Sequence, residues 1–154
     1  MEIRFTVPAV PVAQPRMRAS AVERGGHTHV HMHTPTSIKQ ADGSRKPHPI
    51  VAFKGTCRIA FEATYKGPPF RGPLRCDLTF VMPRPKSMIW KTKPMPRVYH
   101  TGKLDRDNLD KAVLDALTGH AWVDDGQVCS GFILKVIASG DEQPRVLIRI
   151  MELE

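Results

Sequence analysis

An acidic segment interrupts an otherwise basic chain. The chain carries a formal net charge of +8, yet residues 105 to 125 contain six aspartates against one arginine and one lysine. Clustered carboxylates repel one another unless a cation neutralises them, and hard oxygen ligands favour Mg²⁺ or Mn²⁺. A basic surface with one acidic site is typical of metal-dependent enzymes that act on nucleic acids. The six are Asp105, Asp107, Asp110, Asp115, Asp124 and Asp125.

The positions of three of these aspartates relative to a helix indicate a metal site. Asp107, Lys111 and Asp115 follow at intervals of one turn, so they share a helix face. Asp105 precedes that helix and would point to the same side as Asp107. If the next strand returns beside the helix start, either Asp124 or Asp125 reaches the same place. The alternative is a solvated helix face with an Asp107–Lys111 ion pair and a turn at residues 124 to 126.

The helix itself is predicted from an apolar stripe that follows i, i+3, i+4, i+7 and i+8. Asp107 or Asn108 can cap its start, and Gly119 can end it. The aspartates then lie on the face opposite the stripe, away from the core. The stripe consists of Leu109, Ala112, Val113, Ala116 and Leu117.

The remaining pattern predicts a single α/β domain spanning residues 1–154, with a mixed β-sheet packed by two helices in the order β-α-β-α-β-β. An edge strand ends at Pro8, a helix covers residues 50 to 65, and a strand covers residues 74 to 82. Two strands follow at residues 127 to 137 and 145 to 152. Residues 13 to 49 and 83 to 103 are predicted as long loops.

Bulk properties predict a cytoplasmic protein that does not cross a membrane. The chain has 154 residues, of which 41% are hydrophobic. No apolar run approaches the roughly 20 residues that span a bilayer, and the start MEIRFTVPAVPV lacks the features of a secretory signal. The three cysteines lack the spacing of a disulfide framework or a zinc knuckle, so we expect free thiols.

The loop at residues 13 to 49 is basic and rich in histidine, and we expect it to be a substrate-binding arm with Arg16 and Arg18 at its root. The segment HTHVHMH places four histidines at period two. They could form a zinc site, but without a cysteine or carboxylate partner nearby a locally paired or mobile polar hairpin is favoured. The histidines are His27, His29, His31 and His33.

The loop at residues 83 to 103 combines cations with two aromatic residues. Arg84, Lys86, Lys91 and Lys93 can hold backbone phosphates, while Trp90 stacks on an unpaired base. The alternative is a solvated loop with Trp90 packed on the core.

Two motifs in the acidic segment resemble the RusA-type Holliday junction resolvases of bacteria and their phages. The motifs are DRDNLDKAVLDAL at residues 105 to 117 and VDDGQV at residues 123 to 128, with weaker similarity at QPRMR and MPRPKS. The resemblance implies that Asp105, Asp107 and Asp125 are the catalytic metal-binding carboxylates and that Lys111 is a catalytic lysine. It also implies a RusA-like fold in a small α/β homodimer.

The function implied is a Mg²⁺-dependent, structure-selective endodeoxyribonuclease in DNA recombination and repair, with Mn²⁺ as a substitute ion. Its partner would be branched DNA, cut at a four-way junction by paired symmetric hydrolysis. Two alternatives stay open: a noncatalytic nucleic-acid-binding protein, and a nuclease for another target such as flaps, forks or RNA. Two departures from the family pattern are the longer, histidine-rich loop at residues 20 to 46 and the additional charge of Asp110.

Overall fold

Alternating side chains define the main sheet of the protein, described here for residues 1–154 from a computed structural model. In β1, Ile3, Phe5 and Val7 are buried while the residues between them are exposed. The central strands are more apolar because both of their faces are largely covered. The strands are β1 (Glu2–Val7), β2 (Arg18–Arg24), β3 (His27–His33), β4 (Ser37–Lys39), β5 (Arg45–Pro47), β6 (Leu74–Met82), β7 (Val98–Tyr99), β8 (Val128–Ser130), β9 (Ile133–Ile137) and β10 (Arg145–Glu152).

The main sheet is mixed, in the order β1-β10-β6-β9-β7, with β8 pairing to the start of β6. β10 is antiparallel to both β1 and β6, whereas β8 and β9 run parallel to β6. The predicted α/β class with a mixed sheet and two helices is therefore confirmed, and β1 lies at an edge as expected.

Both helices contribute to one core against the inner side chains of β1, β6 and β10. The helices are α1 (Pro49–Thr64) and α2 (Arg106–Leu117). The predicted stripe of α2 is fully buried, and α1 adds Phe53, Cys57 and Phe61. Cys57 and Cys76 are buried free thiols, and burial raises the pKa of each to about 12. Neither helix is long and apolar enough to cross a membrane.

The segment at residues 13 to 49 differs from the predicted loop because it forms two hairpins. β2 pairs with β3 over seven residues each, and β4 pairs with β5. Gly25 and Gly26 both have positive φ, at 59° and 75°, which is the conformation of a two-residue type I′ turn. The Gly-Gly pair between two alternating segments was the signal for this hairpin. The histidine segment is thus locally paired, as favoured above.

The segment at residues 83 to 103 also differs in part, because it contains a 3₁₀ turn at Lys86–Met88 and the short strand β7. β7 extends the sheet through antiparallel pairing of Val98 with Ile137 and of Tyr99 with Val136. The rest of the segment has no regular secondary structure.

The predicted strand at residues 127 to 137 is interrupted at Gly131, which separates β8 from β9. Gly131 has φ of +148°, and a Cβ added there would overlap the carbonyl oxygen of Cys76. The backbone of β6 therefore approaches so closely that only glycine fits.

Gly131→Ala is expected to lower the free energy of unfolding by about 1 to 3 kcal/mol, because the added methyl group overlaps backbone. Urea denaturation followed by circular dichroism measures this. Gly55→Ala is the matched control: nothing lies within 4 Å of a Cβ at Gly55 inside α1, so it should stabilise by about 0.5 to 1 kcal/mol. A stabilising Gly131→Ala would refute the close approach.

Candidate active site

The N-terminal end of α2 presents two exposed carboxylates. Asp105 is the N-cap residue, rather than the predicted Asp107 or Asn108, with φ −66° and ψ 134° and no capping bond from its side chain. Asp107 lies in the first turn and makes no ion pair. The positive end of the helix dipole stabilises negative charge here. Both carboxylates are thus accessible at one helix end.

Several backbone contacts fix the start of α2 in place. The backbone N–H of Gln14 donates to the carbonyl of Asn108 at 2.8 Å, which ties the segment after β1 to the helix. The Lys135 ammonium of β9 donates to the carbonyl of Leu104, one residue before Asp105. The buried stripe holds the rest of the helix, so the face bearing Asp107 and Lys111 must point outward.

Lys111 is oriented by a partner one turn further along α2. Its Nζ lies 3.3 Å from Oδ1 of Asp115, whose Oδ2 lies 3.4 Å from Nζ of Lys54 on α1. The alternative Asp107–Lys111 ion pair is absent, and Asp107 has no cationic partner. Asp115 is half-buried between the two lysines, whereas Lys111 is 55% exposed. The ammonium of Lys111 is therefore held at the surface by Asp115, one turn along the same helix face from Asp107.

In the second acidic pair, Asp124 and Asp125, one carboxylate is hydrogen-bonded within the protein and the other is free. Asp124 accepts a hydrogen bond from the N–H of Gly126 at 2.8 Å and forms a capping box with Gln127. Gln127 in turn donates to the carbonyls of Phe70 and Gly72, both at 3.0 Å. Asp125 makes no side-chain hydrogen bond or ion pair. Asp125 is thus the member of the pair that is free to bind a cation.

The structure brings some of the predicted residues together and leaves one apart. Asp105 and Asp107 share the start of α2, and Nη2 of Arg16 lies 3.7 Å from Oδ2 of Asp105. No group of three or more His, Cys, Asp or Glu side chains is arranged to hold a metal ion. Asp125 is therefore not grouped with the other two carboxylates in this structure.

Asp110 lies on the side of α2 that faces the sheet. It is half-buried, and this burial raises the pKa of its carboxyl group, while Arg106 opposes the effect. Asp110 lines a cleft of about 270 Å³ together with Cys76 and Cys129. Its extra charge thus lies one turn from Asp107 on a different helix face.

The predicted cations at the start of the chain border an open cleft. Arg16 and Arg18 line a space of about 500 Å³ with Lys39, Arg45 and His48. The side chain of Arg16 is 87% exposed and also approaches Asp105. This cleft is cationic and continues to the acidic end of α2. Sequence analysis missed the contributions of Lys39 and Arg45, because only the hairpin β4–β5 brings them to Arg16.

The predicted cations of residues 83 to 103 divide into two groups. Arg84 donates to the carbonyls of Met88, Pro96 and Ala138 at 2.8 to 3.0 Å, and its guanidinium lies 5.2 Å from the ring centroid of Trp90. Arg84 therefore organises the loop. Lys86, Lys91 and Lys93 are exposed and have no ion-pair partner. Trp90 stacks on Arg84 at the surface and does not pack in the core.

Comparison with known proteins shows the family of this chain. The family model "Endodeoxyribonuclease RusA" matches residues 8–151. A protein of Bacillus subtilis (strain 168), "Uncharacterized protein YqaN", is 34% identical over 158 residues, which cover 98% of this chain and 96% of that protein. The family match begins directly after β1, includes all the carboxylates described above and extends into β10. The chain belongs to the RusA family of endodeoxyribonucleases, the Holliday junction resolvases of DNA recombination, which depend on divalent metal ions.

Proposed function

We propose that this protein resolves four-way DNA junctions by Mg²⁺-dependent, paired and symmetric hydrolysis, with Asp105, Asp107 and Asp125 as metal ligands. The observation that supports this most is the pair of exposed carboxylates at the start of α2, on the helix that also holds the ammonium of Lys111 at the surface. Family membership supplies the reaction class. The alternative of a noncatalytic binding protein would leave this arrangement without a role.

The donor set fits a hard divalent cation. Asp107 and Asp125 have free carboxylate oxygens, and the only partner of Asp105 is Arg16 at 3.7 Å. Oxygen ligands of this type suit Mg²⁺, with Mn²⁺ as a substitute. Because Asp125 is not grouped with the other two, binding of metal or DNA has to draw the three carboxylates together. When bound, the ion lowers the pKa of a water molecule and polarises a phosphate oxygen.

Lys111 would stabilise the negative charge that develops on the phosphate in the transition state. Asp115 positions Lys111, because it accepts from that ammonium and is itself anchored by Lys54 of α1. A phosphate that arrives next to Asp107 would compete with Asp115 for Lys111. Lys111 thus can turn towards substrate without leaving a buried charge unpaired, since Lys54 still neutralises Asp115.

DNA would contact the cationic surfaces on either side of this site. Lys86, Lys91 and Lys93 offer free ammonium groups to backbone phosphates, and Trp90 is held by Arg84 where it can stack on an unpaired base. Arg16 and Arg18 border the cleft that leads to Asp105. Arg84 acts mainly by holding this loop, because its guanidinium is engaged by three carbonyls.

A homodimer is the simplest assembly for this reaction. A four-way junction has two equivalent strands to cut, and a two-fold dimer presents one site to each. Two active sites close together in one dimer would then produce paired, symmetric nicks. We place this activity in the cytoplasm, where bacterial DNA is processed.

The experiment compares cleavage of a four-way junction, a fork, a flap and a linear duplex by the purified protein. We expect cleavage of the junction at two symmetric positions, with Mg²⁺ or Mn²⁺ required and EDTA inhibitory. The junction should be cut at least about tenfold faster than the linear duplex, because only a branched substrate engages both sites of a dimer. Faster cleavage of flaps or forks than of junctions would favour the alternative nuclease.

A further inference from the structure

The hairpin β2–β3 forms a ribbon that projects from the protein with both faces in solvent. Its register pairs Arg18 with His33 and Arg24 with His27, and all fourteen strand residues are exposed. Seven residues per strand give a length of about 24 Å. Because an isolated two-stranded ribbon is marginally stable in water, this exposed ribbon is expected to gain order from something that covers it.

The two faces of the ribbon differ in chemistry. Residues opposite each other in an antiparallel pair point to the same face, and side chains alternate along each strand. One face carries all four histidines and two arginines and no acidic residue, and we call it the cationic face. The other face carries the ribbon's single acidic residue, Glu23, among small and apolar side chains. The cationic face consists of Arg18, Ser20, Val22, Arg24, His27, His29, His31 and His33.

We propose that the cationic face of the ribbon binds one duplex arm of the DNA substrate, with the ribbon lying along the major groove. The inference rests on the proposed function only in taking DNA as the substrate. A major groove of about 12 Å admits a two-stranded ribbon, and its walls are lined by phosphates. Arg18 and Arg24 lie at opposite ends of β2, so they reach phosphates at separate points along the groove.

The root of the ribbon connects this surface with the candidate active site. Arg18 begins β2, and Arg16, two residues earlier, lies 3.7 Å from Asp105. Both arginines border the same cationic cleft. A duplex arm held by the ribbon therefore leads directly to the acidic end of α2, where the strand would be cut.

The histidines add hydrogen-bond donors to the cationic face. Arg18 and Arg24 lie opposite His33 and His27, and Arg16, Lys39 and Arg45 line the cleft at the root. Each imidazole can donate a ring N–H to a phosphate oxygen or to a base edge in the groove. Replacement of all four imidazoles should therefore weaken DNA binding.

The first test compares two substitutions that remove the same charge. Arg24→Gln and Lys66→Gln each lower the net charge by one, but Lys66 follows α1 and is part of none of the cationic surfaces described. Fluorescence anisotropy with a four-way junction in EDTA should show about five- to tenfold weaker binding for Arg24→Gln at about 0.1 M salt, with a salt slope reduced by about 1. Lys66→Gln should change affinity by about twofold or less. Equal effects of the two substitutions would overturn the proposal.

The second test replaces His27, His29, His31 and His33 together by threonine, which favours strands. The variant, which keeps three histidines elsewhere, should bind the junction at least about tenfold more weakly than the wild type at about 0.1 M salt. EDTA excludes metal binding by the imidazoles. An unchanged affinity would exclude a role for the histidines and would contradict the proposal that this face meets DNA. Because these measurements need no cleavage, they can fail while junction resolution stands, and they can succeed if the true target is another branched DNA.

Discussion

Asp107→Asn is expected to slow junction cleavage by about 100- to 1000-fold while junction binding stays equal or becomes tighter. Asparagine keeps the shape of the side chain and its place in the first turn of α2, but it loses the charge that holds a divalent cation. Removal of a negative charge also eases the approach of phosphates. Single-turnover cleavage in Mg²⁺ and anisotropy in EDTA measure the two effects separately. Asp105→Asn should behave in the same way.

The second acidic pair supplies the matched control. Asp125→Asn should reduce cleavage as strongly as Asp107→Asn, whereas Asp124→Asn should leave cleavage within about threefold, because asparagine also caps the 3₁₀ turn that Asp124 starts. Calorimetric titration with Mn²⁺ should show weaker binding only for the Asp125 variant. A protein that loses activity with Asp124→Asn and retains it with Asp125→Asn would contradict the ligand assignment.

Trp122→Ala is expected to lower the free energy of unfolding by about 3 to 5 kcal/mol. The indole is fully buried, and its Nε1 donates to Oγ1 of Thr118 at 3.1 Å at the end of α2. The carbonyl of Trp122 also accepts from the N–H of Gly119 at 2.7 Å. Substitution therefore leaves a large cavity between α2 and the loop that carries Asp125. Urea denaturation followed by circular dichroism gives the change in stability.

The chain offers a matched control in its other tryptophan. Trp90 is 39% exposed and stacks on Arg84 at the surface, so Trp90→Ala should cost about 1 kcal/mol or less. Trp90→Ala should instead weaken junction binding if the indole stacks on an unpaired base. Similar losses of stability in the two variants would mean that the roles assigned to these side chains are wrong.

Elements whose apolar residues recur with a clear helical or strand period could be predicted from the sequence. The α2 stripe predicted the helix and its end, because Gly119 with φ of +81° follows its C-cap as expected. The N-cap was misplaced by two or three residues, because Asp105, Asp107 and Asn108 are all good caps and local sequence does not choose among them. Here the contacts of Leu104 and Gln14 decide where the helix begins.

Two other differences have identifiable physical reasons. The full ribbon was not predicted, although local pairing of the histidine segment was favoured, because its strands bury nothing and so present no apolar face of the kind that marks a strand packed on a core. The break at Gly131 depends on how closely β6 approaches, which is a tertiary contact that no local pattern encodes.

Part of the candidate site could likewise not be predicted from sequence. The choice between Asp124 and Asp125 follows from a capping box that depends on Gln127 and on the carbonyl of Phe70. The link from Lys54 to Asp115 joins helices that are far apart in the chain. Such contacts are set by the packing of α1 on α2, whereas the aspartates themselves were evident from their clustering.

The place of β10 in the sheet has a consequence for folding during synthesis. β10 lies between β1 and β6, although it is made after all the other strands. Until it leaves the ribosome, β1 has no partner in the main sheet, and β6 lacks its neighbour on one side. The nascent chain therefore exposes unpaired strand edges, and closure of the sheet waits for contacts between residues as distant in sequence as Glu2 and Met151. Loss of the last strand would remove an interior strand of the sheet and would leave β1 without its only partner in the main sheet.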